Sequence, residues 1–300
     1  MRIAVTGATG FVGGHLLPRL TEAGHLVSAL TRRPQPDLPG VTWVNGALND
    51  ARSLAHLCLG CDAVVHVAGV VNAPDAAAFD AGNRVGTCAV LQAATAAGAI
   101  RFVHISSLAA REPELSMYGA SKRAAEDAVA NSDLDWRIVR PTAIYGPGDT
   151  GMLDIFRMAS HGVVALPPAG RMSVIHVDDF VRLVLALVES PEGGVLYEAD
   201  DGVPGGWAHR DFAATLGTAV GRKVIALPMP KALLSLASRL DRLFRGAKAS
   251  LTADRVDYLT HPDWTIDPDR GVPAALWTPH IATPAGLQAT AAWYRANGWL

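Results

Sequence analysis

The stretch that decides the fold is Gly7-Ala8-Thr9-Gly10-Phe11-Val12-Gly13, which separates a short apolar run from an amphipathic pattern. The run Arg2–Thr6 suits a buried parallel strand, and residues 11–23 have the apolar spacing of a helix. A glycine-rich turn between strand and helix brings backbone N–H groups close to a pyrophosphate at the helix N-terminus. We therefore predict a dinucleotide-binding site here.

Each glycine of this turn has a predicted role. Gly7 permits the tight turn, Gly10 allows a phosphate to approach the backbone, and Gly13 allows helix and strand to pack closely. The further cofactor contacts expected in the turn are Thr9, Phe11 and Val12. The spacing G-x-x-G-x-x-G is one residue longer in its first half than the commoner fingerprint, so the prediction depends on its place between strand and helix.

The composition narrows the class of protein. The 300 residues are 50% hydrophobic and 18% charged, with a net charge of −2, which suits a compact enzyme and gives no basic footprint for nucleic acid. No apolar run is long enough to span a bilayer, and the first predicted strand starts at residue 2, so we expect neither a membrane segment nor a signal peptide. The three cysteines form one C-x-x-C pair without a second, which predicts reduced cysteines in a cytoplasmic protein and no metal site.

Strand-like and helix-like segments alternate through the first half of the chain. The predicted strands after the first span residues 26–30, 41–44, 63–67, 101–105 and 137–139, and the predicted helices between them include 50–59, 74–97 and 117–131. This alternation predicts an α/β fold with a doubly wound parallel sheet. The rhythm changes after Pro141, and two isolated strands are predicted at 195–198 and 223–227.

We accordingly predict a dinucleotide-binding domain over residues 1–165, with a return segment around 172–200, and a smaller, mixed C-terminal substrate-binding subdomain over 201–300. Five of the seven tryptophans lie from Trp207 onward, either as packing, which we favour, or as walls of a substrate pocket. Residues 233–244 form an amphipathic helix flanked by basic residues. Packing on its own domain or a neighbouring subunit is favoured for it, and a membrane-surface role stays open.

Candidate catalytic groups are Ser107, Tyr118 and Lys122. Tyr118 and Lys122 are four residues apart on a predicted helix, so they share a face, and a nearby ammonium is expected to lower the pKa of the phenol. Ser107 follows the predicted strand that ends at Ile105, and ligands bind at the carboxyl ends of parallel strands. A serine hydroxyl there can hold a carbonyl oxygen while the tyrosine donates a proton.

Several motifs occur in order along the first 190 residues. They are Thr6-Gly7-Ala8-Thr9-Gly10-Phe11-Val12-Gly13, Asp62-Ala63-Val64-Val65-His66-Val67-Ala68-Gly69, Val103-His104-Ile105-Ser106-Ser107, Tyr118-Gly119-Ala120-Ser121-Lys122, Arg140-Pro141-Thr142-Ala143-Ile144-Tyr145-Gly146-Pro147-Gly148 and Ile175-His176-Val177-Asp178-Asp179. Together they resemble the extended short-chain dehydrogenase/reductase family, the NAD-dependent epimerase/dehydratase group. Beyond about residue 190 the resemblance is loose.

The resemblance implies a Rossmann fold, a nicotinamide cofactor and a catalytic set of Ser107, Tyr118 and Lys122, with Lys122 also on the nicotinamide ribose. It implies that Asn83 supports the site through a helix or water contact. The further cofactor contacts that it implies are Ala68, Gly69, Ile105, Pro141 and Ile144. A homodimer formed through the helices near residues 84–97 and 117–131 is a further expectation. The histidines of these motifs, His66, His104 and His176, are interpreted as structural.

Departures from the family pattern refine the prediction. Arg32 and Arg33 follow the second strand where relatives that bind NAD carry an acidic residue, and guanidinium groups suit a 2′-phosphate, so we predict NADP(H) over NAD(H). Ala47 stands where relatives commonly have Asp, which leaves an apolar adenine contact from Leu48. Leu108 after Ser107 disfavours dehydration, and the short interval between Ser107 and Tyr118 puts nucleotide-sugar specificity in doubt.

These observations predict an NADP-dependent oxidoreductase that reduces a ketone or aldehyde, or oxidises the matching alcohol, on a small organic or sterol-like substrate. One alternative is an NAD(P)-dependent sugar epimerase that uses the same residues. Another is a catalytically silent accessory protein that holds NADPH as a structural ligand. The substrate itself is not specified, because the residues expected to contact it lie in the least recognisable third of the chain.

Overall fold

A computed structural model describes residues 1–99, 101–245 and 253–300. In chain order its strands are β1 (Arg2–Thr6), β2 (Leu26–Thr31), β3 (Val41–Asn45), β4 (Ala63–His66), β5 (Arg101–Ile105), β6 (Asp135–Pro141), β7 (Ala143–Tyr145), β8 (Val163–Leu166), β9 (Arg171–Met172), β10 (Val174–His176), β11 (Val195–Ala199), β12 (Trp207–Ala208), β13 (Ile225–Pro228) and β14 (Asp263–Trp264). Its α-helices are α1 (Phe11–Glu22), α2 (Ala51–Cys58), α3 (Ala76–Asp80), α4 (Gly86–Ala96), α5 (Met117–Ala130), α6 (Leu153–Ser160), α7 (Val177–Glu189), α8 (His209–Val220), α9 (Lys231–Arg245), α10 (Ala253–Leu259) and α11 (Thr283–Ala296).

Seven of the described strands form the main sheet, in the order β11-β6-β5-β4-β1-β2-β3. The pairings of β1 with β2 and β4, of β2 with β3, and of β5 with β4 and β6 are all parallel. The chain moves outward from β1 to β3 and then restarts on the other side of β1 with β4. This reversal makes the ends of β1 and β4 the topological switch point, where doubly wound sheets bind their ligands.

Burial on both faces explains the composition of the central strands. All four residues of β4 are buried, and so are four of the five in β1, which matches their nearly continuous apolar sequences. Leu54 and Leu57 of α2 and Val90 of α4 pack with Val64 and Phe102 of the sheet in one core cluster. The predicted α/β fold with a doubly wound Rossmann sheet is confirmed.

The chain divides into two compact units, each continuous in space but not in sequence. The first comprises Met1–Arg140, Phe180–Tyr197 and Val272–Trp277, and the second comprises Pro141–Asp179, Glu198–Gly271 and Thr278–Leu300. Residues 141–165, which we placed with the dinucleotide-binding domain, thus group with the second unit. The assignment of cofactor to one domain and substrate to the other stays a prediction.

The second unit has its own core. Phe212 and Leu216 of α8 pack in one cluster with Leu287 and Tyr294 of α11. The rings of Trp293 and Trp299 meet edge to face, with centroids 5.0 Å apart, and both lie against this cluster. These contacts favour packing, the interpretation that we preferred, for the C-terminal tryptophans.

Two local predictions need correction. The strands near residues 195 and 225 are not isolated, because β11 joins the main sheet as its edge and β13 pairs in parallel with β8. The helix predicted over residues 74–97 contains a π-helical turn at Ala81–Val85 between α3 and α4. The predicted helix over residues 233–244 lies within α9, where the side chains at 240–242, 244 and 245 are outside the described part of the chain. Within the described ranges, no helix combines the length and apolarity that a membrane span requires.

Candidate active site

The glycine turn forms a close-fitting junction between the ends of β1 and β4. Gly7 has φ +72°, and a Cβ on it would stand 2.6 Å from the backbone nitrogen of Ala68, so the turn accepts only glycine there. A Cβ on Gly13 would overlap the carbonyl oxygen of Gly7, so glycine at this position lets the helix pack closely on the turn, where we had predicted a contact with the strand. Thr9 and Gly10 are exposed at the start of α1. The arrangement fits a dinucleotide, because exposed backbone at a helix N-terminus suits a pyrophosphate.

Ser107 and Tyr118 meet through their hydroxyl groups. Ser107 follows β5 and accepts a hydrogen bond from Ala109 N–H at 3.2 Å, which starts a short 3₁₀ turn. Ser116 caps α5 by accepting from Gly119 N–H at 3.0 Å, and this places Tyr118 in the first turn of the helix. The phenol of Tyr118 hydrogen-bonds to Ser107, and both side chains are half-buried.

Lys122 lies one turn further along α5 and is only 4% exposed. Its Nζ donates to the carbonyl oxygen of Ile105 at 2.7 Å, at the carboxyl end of β5. Burial lowers the pKa of Lys122 to about 8, and the nearby carboxylate of Glu126 opposes that shift. The lysine is therefore held by the strand that also leads to Ser107.

The expected direction of the Tyr118 pKa needs correction. Burial raises the pKa of Tyr118, and the hydrogen bond from Ser107 only partly offsets this. We expected Lys122 to lower it, but the lysine ammonium is directed at the Ile105 carbonyl, and desolvation of the phenolate dominates. Tyr118 consequently keeps its proton at neutral pH.

The buried ammonium predicts a pH-dependent stability that a Lys122→Met variant removes. Because the pKa of Lys122 falls from 10.5 to about 8 on folding, the unfolded chain binds more protons between these values, and stability rises with pH across that window. Between these two pH values, we expect the free energy of unfolding of the wild type to rise by roughly 2 kcal/mol more than that of the Lys122→Met variant. Urea unfolding at both pH values measures this. A Lys223→Met control at an exposed lysine should track the wild type, and a constant difference for Lys122→Met would contradict the prediction.

Asn83 lies in the π-helical turn and joins three parts of the site. Its amide donates to Val70 O at 2.9 Å and to Ser121 Oγ at 2.8 Å, and its Oδ1 accepts from Val70 N–H at 2.7 Å. A Cβ on Gly69 would lie 3.2 Å from Asn83 Oδ1 and 3.7 Å from Lys122 Nζ. Gly69, Asn83 and Lys122 therefore lie close together. Of the two contacts expected for Asn83, with a helix or with water, the structure contains the one with helix α5, through Ser121.

A chain of buried hydrogen bonds runs from the glycine turn to Asn83. Thr6 Oγ1 accepts from Ala68 N–H at 3.3 Å and lies 2.7 Å from His66 Nδ1, while His66 Nε2 lies 2.9 Å from Thr87 Oγ1. Because Thr87 Oγ1 donates to Asn83 O at 2.6 Å, the His66 ring must donate from Nε2 and accept at Nδ1. Burial, together with the charge of Lys122, lowers the pKa of His66 to about 3, so the ring is neutral.

The other two histidines of the motifs, His104 and His176, pack against aromatic rings. His104 stacks on His66 with ring centroids 5.4 Å apart, and burial lowers its pKa well below the usual value. His176, in the second unit, meets Tyr145 edge to face at 5.3 Å. The described residues contain no cluster of three His, Cys, Asp or Glu side chains that could hold a metal ion.

Sequence reasoning missed a buried ion pair beside the predicted catalytic residue Lys122. Glu126, one turn after Lys122, accepts from Arg140 Nε at 2.8 Å and from Arg140 Nη2 at 2.6 Å, and also from Ser106 Oγ at 2.5 Å. Both charged side chains are more than nine-tenths buried. The signal in the sequence was the spacing by four, in which Glu126 follows Tyr118 and Lys122 as the third residue on the same helix face.

The remaining predicted cofactor residues lie in different places. Arg32 and Arg33 are exposed directly after β2, where Thr31 Oγ1 donates to Arg33 O at 2.7 Å and fixes the turn. Leu48 is half-buried beside Gly86, on which a Cβ would stand 2.9 Å from the Leu48 Cδ1. Pro141 and Ile144 belong to the second unit, and their predicted nicotinamide contacts stay predictions.

Comparison with known proteins agrees with this geometry. The sequence model for the NAD dependent epimerase/dehydratase family matches residues 3–199. The chain is 38% identical to ceramide reductase of Caulobacter vibrioides over 99% of its own length and 96% of the relative's. It is 32% identical to 3-diazoavenalumate denitrifying reductase of a Streptomyces species, over 88% of this chain and 98% of the other.

A solved structure shows the same fold. The Bordetella bronchiseptica enzyme WbmG, in complex with NAD, superposes with a TM-score of 0.78 at 20% identity, covering 100% of this chain and 95% of that one. The family match covers most of the sheet, including the glycine turn and the helix that carries Tyr118 and Lys122. The chain therefore belongs to the NAD-dependent epimerase/dehydratase family of extended short-chain dehydrogenases/reductases, and it is an NAD(P)-dependent oxidoreductase of that type.

Proposed function

We propose that this protein is an NADP(H)-dependent reductase of a ketone or aldehyde on an apolar, lipid-like substrate. The observation that carries the proposal is the hydrogen bond between the hydroxyls of Ser107 and Tyr118, one helical turn from the buried ammonium of Lys122. Because the two hydroxyls lie against each other, both can reach the same carbonyl oxygen, and one of them can supply the proton that reduction to an alcohol requires.

Each member of the set has a distinct role. Ser107 donates to the substrate oxygen and orients the carbonyl, and Tyr118 transfers its proton to that oxygen as negative charge develops there. When bound, a reduced nicotinamide supplies the hydride. The raised pKa of Tyr118 suits this direction, because the phenol arrives protonated. The Lys122 ammonium, held by Ile105 O, is assigned to the nicotinamide ribose of the bound cofactor.

Positioning comes from the surrounding hydrogen bonds. Lys122 is fixed by Ile105 O, and the first turns of α5 are fixed by Asn83 through Ser121 Oγ. Ser121 Oγ in turn donates to the carbonyl oxygen of Tyr118 at 2.8 Å, so Asn83 acts on the catalytic helix through Ser121. The predicted dinucleotide contacts in this unit follow the carboxyl ends of three neighbouring strands: the glycine turn after β1, Ala68 and Gly69 after β4, and the two arginines after β2.

The preference for NADP(H) rests on Arg32 and Arg33. Both are exposed at the end of β2, next to the switch point, and a planar guanidinium can bind a 2′-phosphate through two hydrogen bonds. We expect the double variant Arg32→Ala/Arg33→Ala to raise the KM for NADPH by about tenfold to a hundredfold, with little change in the KM for NADH. Steady-state kinetics with both cofactors measure this.

Arg52, exposed on the neighbouring helix α2, provides the matched control. An Arg52→Ala variant removes one positive charge from the same unit and should leave both KM values unchanged. An equal rise in the two KM values for Arg32→Ala/Arg33→Ala would mean that the arginines do not read the 2′-phosphate.

The substrate class is supported by the similarity to ceramide reductase, which extends over nearly the whole chain. The direct test is NADPH oxidation with a panel of long-chain ketones, aromatic aldehydes, steroids and nucleotide sugars. We expect one mole of NADPH consumed per mole of alcohol formed from a long-chain carbonyl compound. Conversion of a nucleotide sugar without net cofactor consumption would identify an epimerase, and no oxidation of bound NADPH by any carbonyl would identify an accessory protein.

A further inference from the structure

Helix α9 carries an exposed stripe of leucines. Leu233, Leu236 and Leu243 are 45%, 52% and 77% exposed, and their spacing by three and seven puts them on one side of the helix. Another side of α9 is covered, because α10 packs against the helix and Lys231 Nζ forms an ion pair with Asp257 at 2.7 Å. The leucines stay exposed although the helix already has a partner within its unit.

A second group of exposed apolar side chains lies on β13, the strand that precedes this helix in the chain, and on its partner β8. Ile225 and Leu227 alternate on one face of β13 and are both exposed, and the partner of Ile225 across the strand pair is the exposed Val163 of β8. Leu227 precedes Leu233 by six residues in the chain. Exposed large apolar side chains that gather in this way mark a surface that another body covers.

The charge of α9 indicates which body that is. Residues 231–245 contain four basic residues and one acidic residue, in a chain whose net charge is −2. A helix that combines exposed leucines with basic residues is suited to lie in the headgroup region of a bilayer that contains anionic lipids. Two copies of this chain that met on the same face would instead bring like charges together.

We propose that α9 and the β8–β13 pair form a docking surface for an anionic lipid bilayer. The leucines enter the interface between headgroups and acyl chains, and the exposed side chains of Lys231 and Arg239 meet the lipid phosphates. The bilayer becomes the source of an apolar carbonyl substrate only if the proposed function holds, whereas the docking itself does not depend on catalysis.

The test measures co-sedimentation of the full chain with vesicles. We expect binding to equimolar phosphatidylcholine and phosphatidylglycerol, much weaker binding to phosphatidylcholine alone, and loss of binding at high salt. Leu236→Ser/Leu243→Ser should weaken binding to the mixed vesicles by about tenfold or more. The matched control is Leu59→Ser, a leucine 72% exposed in the first unit, which should bind as the wild type does.

Arg239→Gln keeps the apolar stripe and removes one exposed charge, so it should weaken binding to the mixed vesicles alone. The proposal is overturned if the wild type ignores the mixed vesicles, if Leu59→Ser loses as much binding as the α9 double variant, or if that double variant changes the oligomeric state and not vesicle binding. NADPH-dependent reduction of a water-soluble carbonyl without vesicles reports on the catalytic set separately. The same assay shows that the double variant is folded.

Discussion

Replacing Tyr118 with phenylalanine is expected to lower kcat for carbonyl reduction by about a hundredfold to ten thousandfold, the usual contribution of a positioned general acid. The phenol is the protonated group that hydrogen-bonds to Ser107, and phenylalanine keeps the ring but has no proton to give. The ring also lies near Phe79, with centroids 6.0 Å apart, and the substitution preserves this contact. The loss should therefore appear in kcat and not in the stability of the protein.

Tyr197→Phe provides the matched control for this experiment. Tyr197 is also half-buried in the first unit, but it lies on the edge strand β11 and its hydroxyl contacts Glu192. We expect this variant to keep wild-type kcat, and we expect both variants to bind NADPH as the wild type does in a fluorescence titration. A Tyr118→Phe protein with undiminished kcat would exclude Tyr118 as the acid, and the mechanism would then need another proton donor.

The two parts of the candidate site differ in how far sequence determines them. The glycine turn could be predicted, because the positive φ of Gly7 and the contact between Gly13 and Gly7 both lie within seven residues of chain. The close approach of Gly7 to Ala68 comes from the tertiary fold. The shared face of Tyr118 and Lys122 could also be predicted, since it follows from the period of one helix. The spacing of Tyr118 and Lys122 does not determine how deeply their side chains are buried. Burial of Tyr118 depends on residues far away in sequence, and it reversed the expected direction of the pKa.

Contacts between residues that are far apart in the chain could not be predicted, for the same reason. The π-helical turn around Asn83 is stabilised by contacts to Val70 and Ser121, which are 13 and 38 residues away in the chain. The apolar pattern of residues 74–97 indicates a helix, but it does not indicate that one turn of that helix is π-helical. Likewise, the composition of residues 195–199 indicates a strand, but only the tertiary fold decides that it extends the main sheet.

The ion pair between Glu126 and Arg140 predicts the largest effect on stability. Removing the carboxylate with Glu126→Ala leaves a guanidinium buried without its counter-charge, and we expect the free energy of unfolding to fall by about 3–5 kcal/mol. Ser106 also loses the acceptor of its hydroxyl, which adds to the loss. Urea denaturation at neutral pH measures the change.

The next residue in the same helix gives a control of the same chemistry on the surface. Asp127 pairs with Arg123 at 3.1 Å, but both side chains are about half-exposed, so Asp127→Ala should cost no more than about 1 kcal/mol. If the two variants are equally stable, the buried pair contributes no more than a surface pair.

Glu126→Gln adds a functional readout, because the carboxylate opposes the fall in the pKa of Lys122. Without the Glu126 carboxylate, Lys122 should lose its proton at a lower pH. We therefore expect kcat of Glu126→Gln to decline from a lower alkaline pH than kcat of the wild type. A merely structural role for Glu126 would reduce stability and leave that pH profile in place.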